Sequence, residues 1–301
     1  MISGIIPPII TPFDQKGHPD MKALEHNLDI WNQTDLSGYL ALGSNGEFVY
    51  LSKEEKIKVV KKVLQESSED KTVIAGTGLE STELTLDLTN RMAKIGVEAA
   101  LVLPPHYYGD FMTDTVLKKH YEYIADNADI PILIYNMPKL TGITISENLI
   151  AILSDHENIV GMKDSSGDFS LLGKYISNSS ENFDVMVGTA NLIFGGLILG
   201  ASGGILALAN LAPEECCRLY QEYKKENIER AVEIQLRMIP LNEAITAKYG
   251  IKGLKKAMDF RGYDGGECKK PLKDFKLTDE MEKDLKNTIE EALKEKIEGS
   301  S

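Results

Sequence analysis

The feature that most constrains this chain is an eightfold alternation of short apolar runs with longer amphipathic stretches. Strands buried on both faces have continuous apolar sequences, so they need no alternation of polar and apolar residues. Eight strand–helix units predict a closed (β/α)8 TIM barrel of the α/β class, and a doubly wound parallel sheet is the alternative. The predicted strands are 4–10, 38–42, 72–75, 99–103, 131–135, 158–163, 184–188 and 203–208.

The stretches between the strands carry helix-start signals. Ser52 stands three residues before Glu55, which is the spacing of a capping box, and Pro213 opens a first turn that also contains acidic residues. Helices are predicted, among other places, over 53–65, 82–95, 114–127, 146–153 and 213–225.

More helical sequence follows the eighth unit. Its patterns predict helices near 227–247, 251–260 and 278–296, with a frayed tail at the final Glu-Gly-Ser-Ser. We therefore expect a barrel over residues 1–225 and a helical C-terminal extension over 226–301, packed together as one domain.

Composition excludes several functions. The 33 basic and 46 acidic residues give a net charge of −13, which argues against binding nucleic acid. The apolar run at 192–209 contains five glycines, so a helix leading into a buried strand explains it better than a membrane span. The N-terminus has no basic segment typical of a signal peptide, and the three cysteines form no CxxC pair. These features predict a cytoplasmic protein.

Lys163 is the most informative residue at the expected active-site face, where the strands of such barrels end. It closes the apolar run at 158–163, and on a regular strand it shares the interior face with Ile159 and Gly161. Burial disfavours the ammonium form, so this lysine is suited to forming a Schiff base with a 2-oxo acid. The alternative is a lysine that reaches the rim and pairs with Asp164.

Two neighbouring segments suggest partners for this lysine. Tyr135 ends the preceding strand, where a phenol can transfer protons, although a tyrosine that only caps the core is the alternative. Ser44 and Asn45 stand between glycines before a helix and can hold a carboxylate, or else they form a tight turn with an N-cap. Glu47 is expected at the surface of the same loop.

The remaining motifs predict no cofactor and no metal. The five histidines lack paired ligand spacing, and His106 lies on a rim loop without an evident partner. The chain has neither a GxxxxGK[ST] phosphate loop nor a dinucleotide GxGxxG motif. The adjacent Tyr107 and Tyr108 on the rim loop suit a subunit interface as well as a catalytic site.

Four motifs together resemble one family. They are Gly-Ser-Asn-Gly-Glu at 43–47, Pro-His-Tyr-Tyr at 105–108, Tyr-Asn-Met-Pro at 135–138 and Gly-Met-Lys-Asp-Ser at 161–165. These motifs resemble the dihydrodipicolinate synthase/N-acetylneuraminate lyase family of Schiff-base aldolases. The resemblance extends from residue 4 to about residue 277. The resemblance implies a barrel with C-terminal helices, a homotetramer built as a dimer of dimers, and a reaction on pyruvate and an aldehyde.

The resemblance also implies roles for individual residues. Lys163 would be the Schiff-base lysine and Tyr135 the proton-relay tyrosine, while Tyr108 would be lent across the dimer interface. The remaining positions implied to bind or line the substrate are Ser44, which also joins the relay, Asn45, Gly188, Ile205 and Leu140.

Within the family, the sequence is most similar to 4-hydroxy-2-oxoglutarate aldolase-like members, through residues 43–48, 161–168 and 253–268. That similarity implies cleavage of 4-hydroxy-2-oxoglutarate or of a 2-keto-3-deoxy sugar acid to release pyruvate. Dihydrodipicolinate synthases carry an arginine where this chain has Leu140, and N-acetylneuraminate lyases carry an Asp-Glu pair where it has Ala190 and Asn191. The alternatives are dihydrodipicolinate synthase itself, condensing pyruvate with aspartate semialdehyde, and a non-catalytic barrel that binds keto acids.

Overall fold

Eight parallel strands form the centre of the molecule in the computed structural model, which describes residues 2–294. They are β1 (Gly4–Ile6), β2 (Gly38–Ala41), β3 (Thr72–Gly76), β4 (Ala99–Val102), β5 (Ile132–Asn136), β6 (Ile159–Asp164), β7 (Asp184–Val187) and β8 (Gly203–Ile205). Consecutive strands pair from β2 to β8, and β8 pairs with β1. Between β1 and β2 the Ile9 amide donates to the Leu40 carbonyl at 2.9 Å, and the Leu40 amide donates to Pro7 at 3.0 Å. The predicted (β/α)8 barrel is confirmed.

The strand predictions are correct in number and differ at the ends. β1 stops at Ile6 instead of residue 10, because Pro7 and Pro8 have no amide to donate to a ladder. β8 stops at Ile205 because the chain then turns into a 3-10 helix over Ala207–Asn210.

Helices alternate with the strands and surround them. They are α1 (Met21–Asn32), α2 (Lys53–Glu66), α3 (Thr82–Lys94), α4 (Asp114–Asn127), α5 (Pro138–Thr141), α6 (Glu147–Leu153), α7 (Phe169–Asn178), α8 (Ile193–Leu199) and α9 (Pro213–Lys224). The predicted capping box is present, since the Glu55 amide donates to Ser52 Oγ at 3.2 Å and the Ser52 amide donates to Glu55 Oε2 at 2.8 Å. The apolar run at 192–209 contains α8 and β8, and no helix of residues 2–294 is long and apolar enough to cross a membrane.

The predicted C-terminal helices are present as α10 (Ile228–Glu243), α11 (Gly250–Phe260) and α12 (Asp279–Leu293). A π-helical turn, Ala244–Lys248, replaces the last turn of the helix predicted over 227–247 and joins α10 to α11. α10 packs on α8 and α9, and α12 packs on α10 and α11, so the extension covers one side of the barrel. The expected helix end at 296 and the tail at 298–301 lie outside the described residues. The division at residue 225 stays a prediction.

Apolar strand side chains pack in two layers, one inside the barrel and one between the strands and the helices. Ile6, Leu40, Leu133 and Met186 belong to the cluster inside the barrel. A larger cluster fills the space between the strands and the helices. Complete burial of each such side chain contributes about 1.5–3 kcal/mol.

β6 contains an irregularity that the sequence did not reveal. Ile132 pairs with Ile159 but Leu133 pairs with Gly161, so Val160 is an extra residue in a β-bulge. Ile159 consequently joins the outer cluster, whereas Val160 packs against the interior one. The prediction that Ile159 shares a face with Lys163 is wrong, because the bulge breaks the two-residue period between them.

Candidate active site

Lys163 lies inside the barrel near the carboxyl end of β6. It pairs in register with Tyr135 of β5, and its Nζ is 3.4 Å from the Tyr135 hydroxyl. The lysine is only 4% exposed. Asp164 is already bound by the Asn136 amide group and the Ser166 hydroxyl, each at 2.8 Å. The alternative in which Lys163 escapes to the rim and pairs with Asp164 is therefore wrong.

The Tyr135 phenol lies among groups that stabilise its anion. Burial raises its pKa, but the positive charge of Lys163 and hydrogen bonds with Ser165, Ser44 and Lys163 act in the opposite direction. The net effect lowers the pKa of Tyr135 below its ordinary value of 10.0. A phenol with a lowered pKa beside an amine is better suited to accept and return a proton than an ordinary tyrosine.

A short turn brings Ser44 to this phenol. Residues Ser44–Gly46 form a 3-10 turn directly after β2, and the first amides of a helical turn have no partner within it. Leu42 and Glu47 flank the turn with φ angles of +59° and +53°, in the left-handed region that costs a non-glycine residue about 1–2 kcal/mol. The surrounding structure must compensate for this cost, which is typical of backbone held for a function.

Glu47 is not at the surface, which corrects the expectation from sequence. It is 2% exposed, and its Oε1 lies 2.6 Å from Nζ of Lys255 in α11. The backbone carries the side chain inward because Glu47 adopts the left-handed conformation at the end of the turn.

The other predicted substrate-binding residues occupy different depths. Ile205 is fully buried in the interior cluster, and the Gly188 amide donates to the Asp164 carbonyl at 2.6 Å. The Asn45 amide group donates to the Pro8 carbonyl at 3.4 Å. Leu140 is 56% exposed on α5, which follows β5.

Tyr108 is not brought to the site within this chain. It is 68% exposed on the loop after β4, packed edge-on against Tyr107 at a centroid distance of 5.1 Å. Glu80 fixes this loop, since its Oε2 accepts the amides of His106 and Tyr107 at 2.9 Å each. Glu80 Oε1 also lies 2.9 Å from His106 Nδ1, so His106 has a partner that the sequence did not indicate.

Ser165 is a site residue that the sequence reasoning missed. It interacts with Tyr135, and its hydroxyl donates to the Gly188 carbonyl at 3.4 Å. The available signal was a hydroxyl residue two positions after Lys163 in a loop at the barrel mouth. Asn136 was missed as well. It is fully buried and links Asp164 to the amide of Ile145.

A narrow cavity with room for about one water molecule lies beside these groups. Its lining includes Gly43, Ser44 and Tyr135 on the polar side and Phe48 and Leu103 on the apolar side. The lining combines an apolar wall with a few convergent polar groups, the kind of lining found in sites that orient a small ligand.

Comparisons with known proteins agree with this geometry. The model of the dihydrodipicolinate synthetase family matches residues 1–292. A 4-hydroxy-tetrahydrodipicolinate synthase of Methanothrix thermoacetophila is 34% identical over 96% of each chain. The crystal structure of dihydrodipicolinate synthase from Thermotoga maritima has a TM-score of 0.92 at 28% identity, covering 97% of this chain and 99% of that one. YagE, an E. coli K12 prophage protein of that family crystallised with pyruvate, has a TM-score of 0.89 at 25% identity, covering 97% and 99%.

Proposed function

Because the chain belongs to the dihydrodipicolinate synthetase family, we propose that it is a carbon–carbon lyase that works through a Schiff base between Lys163 and a pyruvyl group. The observation that carries this proposal is the buried Lys163 amine, 3.4 Å from the Tyr135 hydroxyl at the mouth of a parallel barrel. The buried amine is placed to attack a 2-oxo carbon, and the adjacent phenol supplies an acid and base for imine formation.

The mechanism assigns each step to a group in the site. Lys163 attacks the 2-oxo carbon and water leaves to give an iminium ion, while the turn at Ser44 and Asn45 receives the substrate carboxylate. Tyr135 removes the proton of the 4-hydroxyl group, and the C3–C4 bond breaks to release an aldehyde. The remaining enamine is protonated at C3, and hydrolysis of the iminium ion returns pyruvate and the free lysine.

The favoured substrate is 4-hydroxy-2-oxoglutarate or a 2-keto-3-deoxy sugar acid. Of these two, Leu140 favours the 2-keto-3-deoxy sugar acid, because its apolar side chain cannot form the bidentate contact that an arginine gives a second carboxylate. A carboxylate at the far end of 4-hydroxy-2-oxoglutarate needs another cation, and Lys139 is the adjacent candidate.

Condensation of pyruvate with aspartate semialdehyde is a second candidate. It is favoured by the name of the Methanothrix relative, which is 34% identical to this chain. A panel of 2-oxo acids and aldehydes, scored by pyruvate release or consumption, separates the two reactions. Rapid pyruvate consumption with aspartate semialdehyde alone would replace the favoured substrate with this one.

The test of the class is borohydride reduction in the presence of pyruvate, followed by intact mass measurement and peptide mapping. The proposal expects one reduced adduct on Lys163 and none in Lys163→Ala. The absence of an adduct in a folded protein at saturating pyruvate would overturn it. An adduct without turnover of any aldehyde would favour the non-catalytic keto-acid binder.

We also propose a homotetramer in which Tyr108 reaches the site of a neighbouring subunit. The exposure of Tyr107, Tyr108 and Phe111, each more than two-thirds exposed in the single chain, supports an interface there. The cytoplasm is the proposed compartment, supported by Cys216, Cys217 and Cys268, which are buried as free thiols.

A further inference from the structure

A buried ion pair connects the barrel mouth to the C-terminal extension. Glu47 and Lys255 are each about 2% exposed, and Glu47 Oε1 is 2.6 Å from Lys255 Nζ. The contact has the geometry of an ion pair rather than of an aligned hydrogen bond. Charges this deeply buried are retained only where both are compensated.

Lys255 compensates its remaining charge with the backbone. Its Nζ donates to the Thr11 carbonyl at 2.8 Å and to the Glu267 carbonyl at 2.7 Å. Thr11 belongs to the segment that follows β1, and Glu267 follows α11. One ammonium group therefore joins the segment after β1, the loop after β2 and the extension.

Glu47 is bound on its other oxygen as well. The Lys269 amide donates to Glu47 Oε2 at 2.8 Å, so both carboxylate oxygens face the extension. The Lys269 side chain in turn contacts Glu55 Oε1 of α2 at 2.6 Å. The extension therefore holds the loop after β2 at two points. One is Glu47, where the short turn ends, and the other is Glu55, at the start of α2.

The contacts of the Glu47 side chain hold its backbone in a left-handed conformation. Glu47 is the C-cap of the Ser44–Gly46 turn and has a φ of +53°, which a non-glycine residue keeps only under constraint. Releasing the side chain would let the backbone of Glu47 relax and would move the amides and hydroxyl group of the turn.

We propose that Glu47 and Lys255 are positioning residues that hold the Ser44–Gly46 turn in the conformation that receives the substrate carboxylate. The C-terminal extension thereby sets the affinity of the barrel mouth for pyruvate. This inference rests on the proposed function, in which that turn binds the carboxylate. Neither residue touches the substrate. Replacing either one should therefore change KM for the 2-oxo acid more than kcat.

The experiment compares Lys255→Met with Lys256→Met. Lys256 is the next residue of α11, and its Nζ pairs with Glu282 at 3.0 Å on the surface. We expect Lys255→Met to raise KM for the 2-oxo acid substrate at least about tenfold, the size expected on losing one charge-assisted contact, with kcat much less affected. Lys256→Met should match the parent enzyme.

Hydrogen exchange followed by mass spectrometry reads the turn directly. In Lys255→Met, the peptide containing residues 43–51 should exchange faster than in the parent and in Lys256→Met. This readout does not require turnover. If the parent protein fails to trap pyruvate, the proposed lyase function falls, and unchanged exchange across this peptide overturns the positioning role independently.

A double variant separates positioning from stability. Glu47→Leu with Lys255→Met replaces the pair by apolar side chains, which often preserves or increases stability. We expect a well-folded protein in which KM for the 2-oxo acid substrate is still raised and the turn still exchanges faster. A stable double variant with the parent KM would show that the pair serves folding alone and would overturn the inference.

Discussion

At the level of single residues, removing the Tyr135 hydroxyl should separate Schiff-base formation on Lys163 from the later proton transfers. Tyr135→Phe keeps the ring in the interior cluster and deletes only the hydroxyl that faces Lys163. We expect turnover to fall by a factor of about 10²–10⁴, the usual contribution of a general acid or base, while slow borohydride trapping of pyruvate on Lys163 persists.

Tyr121→Phe is the matched control for this variant. Tyr121 is also fully buried, but its hydroxyl donates to the Val102 carbonyl at 3.3 Å in the helix-facing layer. Parent-like turnover in Tyr121→Phe with a large loss in Tyr135→Phe supports the relay. An equal loss in both would point to packing instead.

Replacing Gly188 with alanine tests whether the site requires the close approach of the Gly188 backbone to Ser165. A Cβ at this position would lie 2.0 Å from the Ser165 hydroxyl oxygen and 2.6 Å from the Asp164 carbonyl oxygen. Because the backbone cannot yield as a side chain does, Gly188→Ala should displace the loop after β6 and reduce kcat/KM by about a hundredfold.

The control for Gly188 is Gly173→Ala in α7. There a Cβ would meet only a Leu199 methyl group at 3.5 Å, and alanine in a helix interior is favoured over glycine by about 0.5–1 kcal/mol. Steady-state kinetics and thermal melting of both variants check the prediction. An active Gly188→Ala enzyme would remove this glycine from the list of site determinants.

Residue types at strand ends made the principal site residues predictable. Lys163 and Tyr135 each terminate an apolar run, where burying a polar side chain costs free energy and therefore indicates a function. The structure brings their polar atoms together. Glu47 was misplaced because its inward direction depends on a left-handed backbone and on Lys255, 208 positions later in the chain. No local pattern encodes such a partner.

At the level of helices and strands, His120 couples α4 to α3. It is 5% exposed, and its Nδ1 lies 2.9 Å from the Thr82 hydroxyl at the start of α3. Burial lowers the pKa of His120 to about 4, although the carboxylates of Glu80 and Glu83 oppose the shift. Its buried Nε2 has no hydrogen-bond partner in residues 2–294, so a second N–H there would be uncompensated.

The folded protein should therefore lose stability on acidification. His120 is neutral when folded but binds a proton near pH 6.5 when unfolded, so its contribution is complete above about 6.5 and decreases as the pH falls toward about 4. The total reaches about 3 kcal/mol over that interval. Urea unfolding across this range should show a flatter pH dependence for His120→Gln than for the parent.

His18→Gln serves as the control for that measurement. The His18 side chain is 70% exposed beside Asp14, so its replacement should have little effect on the free energy of unfolding. Parallel curves for the parent and His120→Gln would contradict the assignment.

The positions of the elements followed from apolar runs and caps, and their ends depended on finer chemistry. Ser52 and Pro213 marked helix starts correctly because capping is a local interaction. The π-helical turn at Ala244–Lys248 was not predicted, since it keeps the helical periodicity of the sequence and differs only in which carbonyl accepts each amide.

At the level of the whole molecule, Tyr108 predicts a shared active site. If each site takes Tyr108 from a neighbour, a mixture of Lys163→Ala and Tyr108→Ala chains contains hybrid dimers with one complete site. Random pairing makes half of the dimers hybrid, so about a quarter of the parent activity should return after the two inactive variants are unfolded and refolded together.

Sedimentation analysis of the same samples reports whether both variants assemble. Unmixed Lys163→Ala and Tyr108→Ala provide the baselines, and Val116→Ala provides a surface control, since Val116 is an exposed apolar residue on α4. Assembled hybrids with no recovered activity would place Tyr108 outside the catalytic site.

The bulge at Val160 has a consequence for how this barrel tolerates changes in length. Above the bulge, Lys163 is fixed by paired neighbours on both sides, Tyr135 in β5 and Met186 in β7. Below it, the strand already accommodates one surplus residue without turning the lysine away from the interior. Over evolutionary time, insertions and deletions should therefore accumulate on the N-terminal side of Val160. The three residues from Gly161 to Lys163 should keep a constant length wherever the chemistry is retained.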